Sequence, residues 1–465
     1  MTNFHFLSAT ELLAAYRARA LSPVEAVRAA YNRIERIEPK INAFCHLGAR
    51  EESLALARES EARWRAGRPC GEMDGVPVTV KDAILAKGWP TLRGSRTIEP
   101  KQAWTEDAPA VARLREHGAI MLGKTTTPEF GWKGVTDSPL SGVTRNPWNL
   151  DLTPGGSSGG SAAALAAGIG HAAIGTDAGG SVRIPGAFCG LVAMKATSGR
   201  IPNYPPSAVG TLGHIGPMTH TVADAALMMN ILATPDGRDW LCLPRADVDY
   251  RLGLNRGVRG LHMVFSPTLG YGKVQREVAD LVTKAVKTFE ELGARVEEVD
   301  APFDDPTEVF RTHFFAGIAH SVRSFNEAQL AKLDPGLARI LGRARKVTLT
   351  DYMTAIEQRA ALGRATRAFH EKCDLLLTPT LAVAPFEAGR LAPEEYGDDW
   401  MNWTPFTYPF NLTGQPAATV PCGFAPGNRP VGLQIVGGMY QDARVLQAAQ
   451  AYQSVRPTTD QHPNI

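Results

Sequence analysis

The chain has 465 residues, of which 44% are hydrophobic and 21% are charged. Its 49 Lys and Arg against 47 Asp and Glu leave a formal net charge of +2, which gives no support for a nucleic-acid surface or a basic membrane patch. The six cysteines form no Cys-x-x-Cys pair, a pattern typical of reduced thiols rather than of a disulfide framework. No run reaches the roughly 18 apolar residues of a membrane span, and the N-terminus lacks the regions of a secretory signal, so we expect a cytoplasmic protein.

The first elements predicted along the chain alternate between helix and strand. Ser22–Glu25 supplies a capping serine, a proline at the first helical position and a glutamate three residues after the cap, which predicts a helix start. Alternating valines then predict a strand that ends by delivering Lys81 and Asp82. A helix over 108–117 leads into a short apolar run at 119–122, which we expect to be a strand.

The later elements continue the alternation. We expect helices over 162–167, 222–232 and 442–453, and strands over 374–379 and 430–437. This order is typical of an α/β fold with a central mixed sheet covered by helices on both sides.

The segment from 236 to 373 differs in texture, because it is richer in charge and in helical pattern. We interpret the chain as a single domain over 1–465, with a core formed by 75–235 and 374–452. The segment 236–373 is then a variable helical region that shapes the entrance to the functional site.

The stretch from Thr153 to Thr197 is rich in glycine and serine and contains Gly-Gly-Ser twice, at 155–157 and 179–181. Glycine lets backbone N–H groups turn toward a ligand, and a serine beside such amides combines a nucleophile with an oxyanion cradle. A flexible linker would have a similar composition, but the apolar run between the two repeats argues against a linker.

Two generic motifs also match and fail on context. Gly118–Thr125 fits the phosphate-loop formula, which needs a strand before it and a helix after it. Here a helix precedes the motif and Thr127-Pro128 follows it, so we interpret Gly118 as a helix C-cap. Gly155–Gly159 fits the nucleophile elbow of α/β hydrolases, but residues 146–151 upstream are typical of a loop rather than a strand. The eleven histidines include no His-Glu-x-x-His, so no metal site is expected.

Three segments carry a resemblance to a known family. They are Val78–Asp82 (VTVKD), Gly155–Ser161 (GGSSGGS) and Gly175–Arg183 (GTDAGGSVR). Together they resemble the amidase signature family, over roughly residues 20–235 and 374–452. The resemblance implies the amidase-signature fold and hydrolysis of an amide C–N bond without a cofactor or a metal.

The resemblance also implies roles for individual residues. By the family's Ser–cis-Ser–Lys triad, Ser181 is the nucleophile, Ser157 is a proton relay that follows a cis peptide bond, and Lys81 is the base. Burial would favour the neutral lysine that a base must be, and the valines around Lys81 are consistent with burial. The family's oxyanion hole falls on the backbone amides of Ala178, Gly179, Gly180 and Ser181, and its supporting positions on Ser158, Asp177 and Arg183.

The substrate depends on residues outside these motifs. The glutaminase component of the tRNA-dependent amidotransferase is one alternative, but the position where that component carries an aspartate is Thr404 here, with Trp403 and Phe406 beside it. We therefore expect a pocket that includes these three residues and takes a neutral aryl or alkyl amide, such as an anilide, although the aromatic residues could equally belong to the core. A non-catalytic binding protein on the same fold is a further alternative. The expected partner is a small-molecule amide, and a homodimer is possible.

Overall fold

The structure, a computed structural model, describes residues 4–458 and 461–465. The domain predicted over 1–465 thus includes two short segments, 1–3 and 459–460, that lie outside the described residues. Its helices and strands alternate along the chain, as the sequence predicts for an α/β protein.

The strands are short and mostly buried. In chain order they are β1 Phe44–Leu47, β2 Pro77–Lys81, β3 Ile120–Thr125, β4 Asp137–Ser138, β5 Gly142–Val143, β6 Ala172–Asp177, β7 Val192–Lys195, β8 His214–Thr219, β9 His262–Phe265, β10 Arg295–Glu298, β11 Leu375–Pro379, β12 Ala417–Ala425 and β13 Arg429–Gly437.

The α-helices surround these strands. They are α1 Ala9–Arg17, α2 Pro23–Ile41, α3 Arg50–Arg65, α4 Pro109–Glu116, α5 Gly159–Ala166, α6 Arg183–Phe188, α7 Val222–Leu232, α8 Arg276–Glu291, α9 Thr307–Ser321, α10 Glu327–Leu330, α11 Pro335–Ala344, α12 Leu349–His370, α13 Pro409–Thr413 and α14 Asp442–Val455.

In the described residues, eleven of the strands form one mixed sheet in the order β1-β3-β2-β6-β8-β7-β12-β13-β11-β9-β10. The pairs β3–β2, β2–β6, β11–β9 and β9–β10 are parallel, and the other pairs of this sheet are antiparallel. The strands β4 and β5 form a separate two-stranded sheet. The predicted mixed central sheet is confirmed.

Helices cover both faces of the large sheet because side chains alternate between the faces along each strand. Leu375 and Leu377 of β11 pack into a core that includes residues of α7, α8 and α14. Leu376, between them, packs into a second core with residues of α9, α11 and α12. The hydrophobic effect thus anchors helices on both faces of one sheet.

Several sequence signals correspond to helix ends in the structure. Ser22 caps α2 with a full capping box. Its side chain accepts a hydrogen bond from the Glu25 N–H, and the Glu25 carboxylate accepts one from the Ser22 N–H. Gly118 follows α4 with a φ of +79°, and its neighbour Ala119 donates to the Leu114 carbonyl, a typical helix C-terminus. The phosphate-loop match at 118–125 is therefore a helix end followed by β3.

The prediction for 236–373 is wrong for part of that segment. Residues 262–298 supply β9, α8 and β10, and the two strands extend the sheet beyond β11. Each strand has only four residues, too short for an alternating pattern to stand out from the helical signal around it. The helical remainder, 307–370, includes α9, which lies at the cavity described below.

Candidate active site

Lys81 is the last residue of β2, between the parallel neighbours β3 and β6. Its side chain is fully buried, and Nζ donates hydrogen bonds to Ser157 Oγ at 2.7 Å and to Thr176 Oγ1 at 2.8 Å. Burial lowers the pKa of Lys81 from 10.5 to about 7, against the opposing influence of Asp177 and Asp82. A substantial share of the lysine is therefore neutral at physiological pH.

Ser157 lies immediately before α5, and the peptide bond that joins it to Gly156 is cis. Ser181 is 9% exposed and lines the same cavity as Ser157, while its carbonyl accepts a hydrogen bond from the Ser158 N–H at 3.1 Å. Among the described residues, no hydrogen bond joins the two hydroxyls of Ser157 and Ser181. The structure thus brings the three predicted triad residues to one cavity, with Lys81 and Ser157 already in contact.

Ser158 has a different environment from its neighbour. It is fully buried, and its Oγ donates to the Thr176 carbonyl at 3.1 Å. Because the side chain of the same threonine contacts Lys81, Ser158 acts on the site by holding β6 in place.

The loop Ala178–Ser181 connects β6 to α6 and requires glycine at one position. Gly180 has a φ of +123°, and a Cβ there would lie 2.5 Å from Thr407 Oγ1. Thr407 Oγ1 also donates to the Gly179 carbonyl at 2.6 Å. The loop is therefore held closely against the segment around Thr407.

The backbone amides of this loop are not equivalent. The Gly180 N–H donates to Asp177 Oδ1 at 2.7 Å, so it is already occupied. The N–H groups of Ala178, Gly179 and Ser181 have no acceptor among the described residues. Of the four amides predicted for an oxyanion hole, three are thus free to bind a ligand, and Gly180 instead fixes the loop.

Asp177 and Arg183 form a fully buried ion pair beneath the loop. Arg183 donates to both carboxylate oxygens of Asp177, each at 3.0 Å, and Asn411 donates to the same carboxylate at 2.9 Å. Burial alone would raise the pKa of Asp177, but the Arg183 charge and these hydrogen bonds hold it well below its ordinary value. The pair is therefore ionised and positions the loop from below.

The cavity contains about 930 Å³ of empty space, part of it open to solvent. The triad residues lie in its wall, and several apolar side chains face it, namely Ile84, Phe130, Val209, Phe314 and Ile318. No aspartate or glutamate is among its lining residues in the described parts of the chain.

The three residues predicted for the substrate pocket do not line this cavity. All three are fully buried, Trp403 and Phe406 belong to the second core, and the Trp403 ring stacks on Phe188 at a centroid distance of 5.7 Å. That they contact substrate stays a prediction. Trp400 of the same aromatic segment packs against the glycine loop, where a Cβ on Gly179 would lie 3.4 Å from its ring.

Sequence reasoning missed the residues that support the site from distant segments. Thr407 and Asn411 contact the glycine loop and Asp177, and Gln434 accepts from Arg183 at 2.8 Å. The spacing Thr-x-Pro-x-Asn at 407–411 was a usable signal for the first two. Gln434, within β13, belongs to no local motif, because only the packing of α6 against β13 brings it beside Arg183.

Residues 4–458 and 461–465 contain no cluster of metal-ligating side chains and no long apolar helix. In those ranges, no three His, Cys, Asp or Glu side chains come together as a group that could hold a metal ion. None of the helices in them combines the length and the hydropathy that a membrane crossing requires.

Comparison with known proteins decides the family. The family model described as Amidase matches residues 25–446. The chain belongs to the amidase family. An acylamidase of Rhodococcus erythropolis is 39% identical to this amidase over 99% of this chain and 98% of its own length. A glutamyl-tRNA(Gln) amidotransferase component from Chloroflexus aggregans is 34% identical over 100% of this chain and 99% of its own.

A solved structure supports the same family at the level of the fold. The crystal structure of a bacterial aryl acylamidase of the amidase signature family superposes on this amidase with a TM-score of 0.91. The two are 31% identical, and the match covers 98% of this chain and 97% of the other. This chain is therefore an amide-hydrolysing enzyme with the amidase-signature fold.

Proposed function

We propose that this amidase hydrolyses aryl or alkyl amides, such as anilides, through an acyl-enzyme on Ser181. The observation that carries the proposal is the contact of a buried lysine with Ser157, in a cavity that also contains Ser181 and unoccupied backbone amides. A hydroxyl needs a base to become a nucleophile at neutral pH, and a lysine with a lowered pKa meets that need.

The proposed cycle begins with neutral Lys81. It accepts a proton from Ser157, which takes one from Ser181 as the Ser181 Oγ attacks the amide carbon. The carbonyl oxygen becomes an oxyanion and accepts hydrogen bonds from the free amides of Ala178, Gly179 and Ser181.

The intermediate then collapses by losing the amine. The proton returns through Ser157 to the leaving nitrogen, because a hydroxyl can accept one proton while it donates another. Water next attacks the acyl carbon by the same route, Ser181 is released, and the carboxylic acid leaves.

The apolar wall supports an aryl or alkyl group beside the scissile bond. Phe130, Phe314 and Ile318 form part of this wall. The similarity to an acylamidase and to an aryl acylamidase points in the same direction.

The test is the turnover of an anilide, an aliphatic amide and glutamine by the purified chain, followed by the release of amine or ammonia. We expect hydrolysis of the anilide, and a loss of about a thousandfold or more in kcat for Ser181→Ala and Lys81→Met. Lys87→Met is the matched control, because Lys87 follows the same strand but is exposed. Turnover of glutamine alone, and only with added partner proteins, would instead support the amidotransferase alternative. Full activity of Ser181→Ala would refute the mechanism.

A further inference from the structure

The charge of the cavity is set by a residue outside the triad. Its lining contains no acidic side chain, and its basic and imidazole groups are Lys81, Arg93 and His214. Burial lowers the pKa of Lys81 to about 7 and that of His214 to about 3, so the histidine is neutral. Arg93 is therefore the one lining residue in the described chain with a permanent full charge.

Among the described residues, one carboxylate, that of Asp82, acts on the charge of the Arg93 guanidinium, and it opposes the lowering of the Arg93 pKa by burial. The Arg93 side chain is partly buried, and burial lowers its pKa. It forms no hydrogen bond and no ion pair with the described residues. The nearest carboxylate, Asp82, accepts from the Leu92 N–H at 2.9 Å and from the Gly94 N–H at 3.1 Å. Burying a cation that has no hydrogen-bonded partner costs free energy, so an anionic ligand at this position would be favourable.

The backbone of Arg93 is fixed independently of its side chain. Its N–H donates to the Asp82 carbonyl at 3.0 Å, and its carbonyl accepts from the Phe130 N–H at 2.8 Å. Because Asp82 directly follows Lys81 and Phe130 is part of the cavity wall, the loop holds Arg93 rigidly within the active site. Exchanging the side chain therefore leaves these backbone contacts in place.

We propose that Arg93 is a specificity-determining residue that binds a carboxylate on the substrate, away from the amide that is hydrolysed. The proposal rests on the proposed function and narrows its substrate class to aryl or alkyl amides that carry an anionic group. A guanidinium suits a carboxylate because its planar fork donates two parallel hydrogen bonds. The expectation of a neutral substrate rested on Thr404 in place of an aspartate and on the aromatic segment around Trp403, and none of these residues lines the cavity.

The experiment compares two pairs of anilides that differ in one carboxylate. Valeranilide and glutaranilic acid differ at the end of the acyl chain, whereas acetanilide and 4-acetamidobenzoate differ on the ring. Release of the aromatic amine gives kcat/KM for each anilide. The pair with the larger ratio of kcat/KM for the anionic member to kcat/KM for the neutral member shows on which side of the scissile bond the carboxylate lies.

For that pair we expect the wild type to prefer the anionic member, and Arg93→Gln to lower the ratio by about ten- to a hundredfold, the range of a charge-assisted hydrogen bond. Arg93→Lys should retain part of the preference, since it keeps the charge but loses the fork. Arg96→Gln is the matched control, because Arg96 is exposed on the same loop, and it should leave the ratio unchanged.

An equal loss on both members of each pair, or an unchanged ratio in Arg93→Gln, would overturn the proposal. Thermal unfolding of each variant shows whether it is folded. If Arg93→Gln does not fold, Arg93→Met provides a second variant with a neutral side chain. If the wild type hydrolyses the neutral and the anionic anilides with equal kcat/KM, this inference fails while the proposed function stands. If it hydrolyses neither these four nor an aliphatic amide, the proposed function itself fails.

Discussion

As the proposed base, Lys81 should make the rate depend on pH in a defined direction. Only the neutral amine can accept a proton, and burial lowers its pKa to about 7. We therefore expect kcat/KM on an uncharged anilide to rise as pH increases through about 7 and to level off above it. The measurement is a pH–rate profile, with circular dichroism across the same range to show that the protein stays folded. A rate that stays flat or falls as pH rises through this range would contradict the assignment of Lys81 as base.

The Asp177–Arg183 pair tests how the site is supported. Arg183→Met leaves the Asp177 carboxylate buried without its cation, which should lower the free energy of unfolding by about 3–5 kcal/mol. Urea denaturation measures the loss. Arg276→Met is the control, because Arg276 is 95% exposed and lies 3.8 Å from its partner Asp280, so its removal should change stability little. Equal losses in the two variants would refute a special role for the buried pair.

Among the local elements, the turn at 129–131 approaches the triad closely. Gly131 has a φ of +70°, and a Cβ there would lie 3.2 Å from Ser157 Oγ. Gly131→Ala should therefore lower kcat at least tenfold by displacing Ser157, beyond a backbone cost of about 1 kcal/mol in stability.

Gly142 offers the matched control for this prediction. Its φ of +72° imposes a similar backbone cost, but a Cβ there would meet only Asn42, at 3.6 Å. Gly142→Ala should lose similar stability and keep its kcat. If the two variants have the same kcat, the contact with Ser157 has no catalytic consequence.

The elements that could be predicted are those with strong local signals. The capping box of α2, the valines of β2 and the apolar run of α7 each indicate their element without reference to the rest of the chain. The strands β9 and β10 could not be recognised in this way. They are short, and they form strands because neighbouring strands satisfy their backbone groups.

At the scale of the whole molecule, the cavity wall and the buried core can be told apart with a matched pair of phenylalanines. Phe130 lines the cavity, whereas Phe406 is fully buried away from it. Phe130→Leu should change the ratio of kcat/KM between an anilide and a small aliphatic amide, because the ring contacts the substrate in the proposed complex.

The companion variant carries the opposite expectation. Phe406→Leu should lower stability by roughly 1 kcal/mol through lost packing and leave that ratio unchanged. The two measurements are steady-state kinetics on both amides and urea denaturation. A changed ratio in Phe406→Leu alone would support the aromatic segment as part of the substrate pocket.

The homodimer stays a prediction, and light scattering of the purified chain would measure its oligomeric state.

The family of this protein was readable from its sequence, because the residues proposed to carry its chemistry occur in compact motifs. Lys81, Ser157 and Ser181 each lie in a segment with its own local pattern, and the alternation of elements indicated the α/β class. Local patterns cannot report contacts between segments far apart in the chain. Only the tertiary structure buried Trp403 in the second core, brought α9 to the cavity and placed Arg93 in the cavity wall, because packing and burial depend on the whole fold.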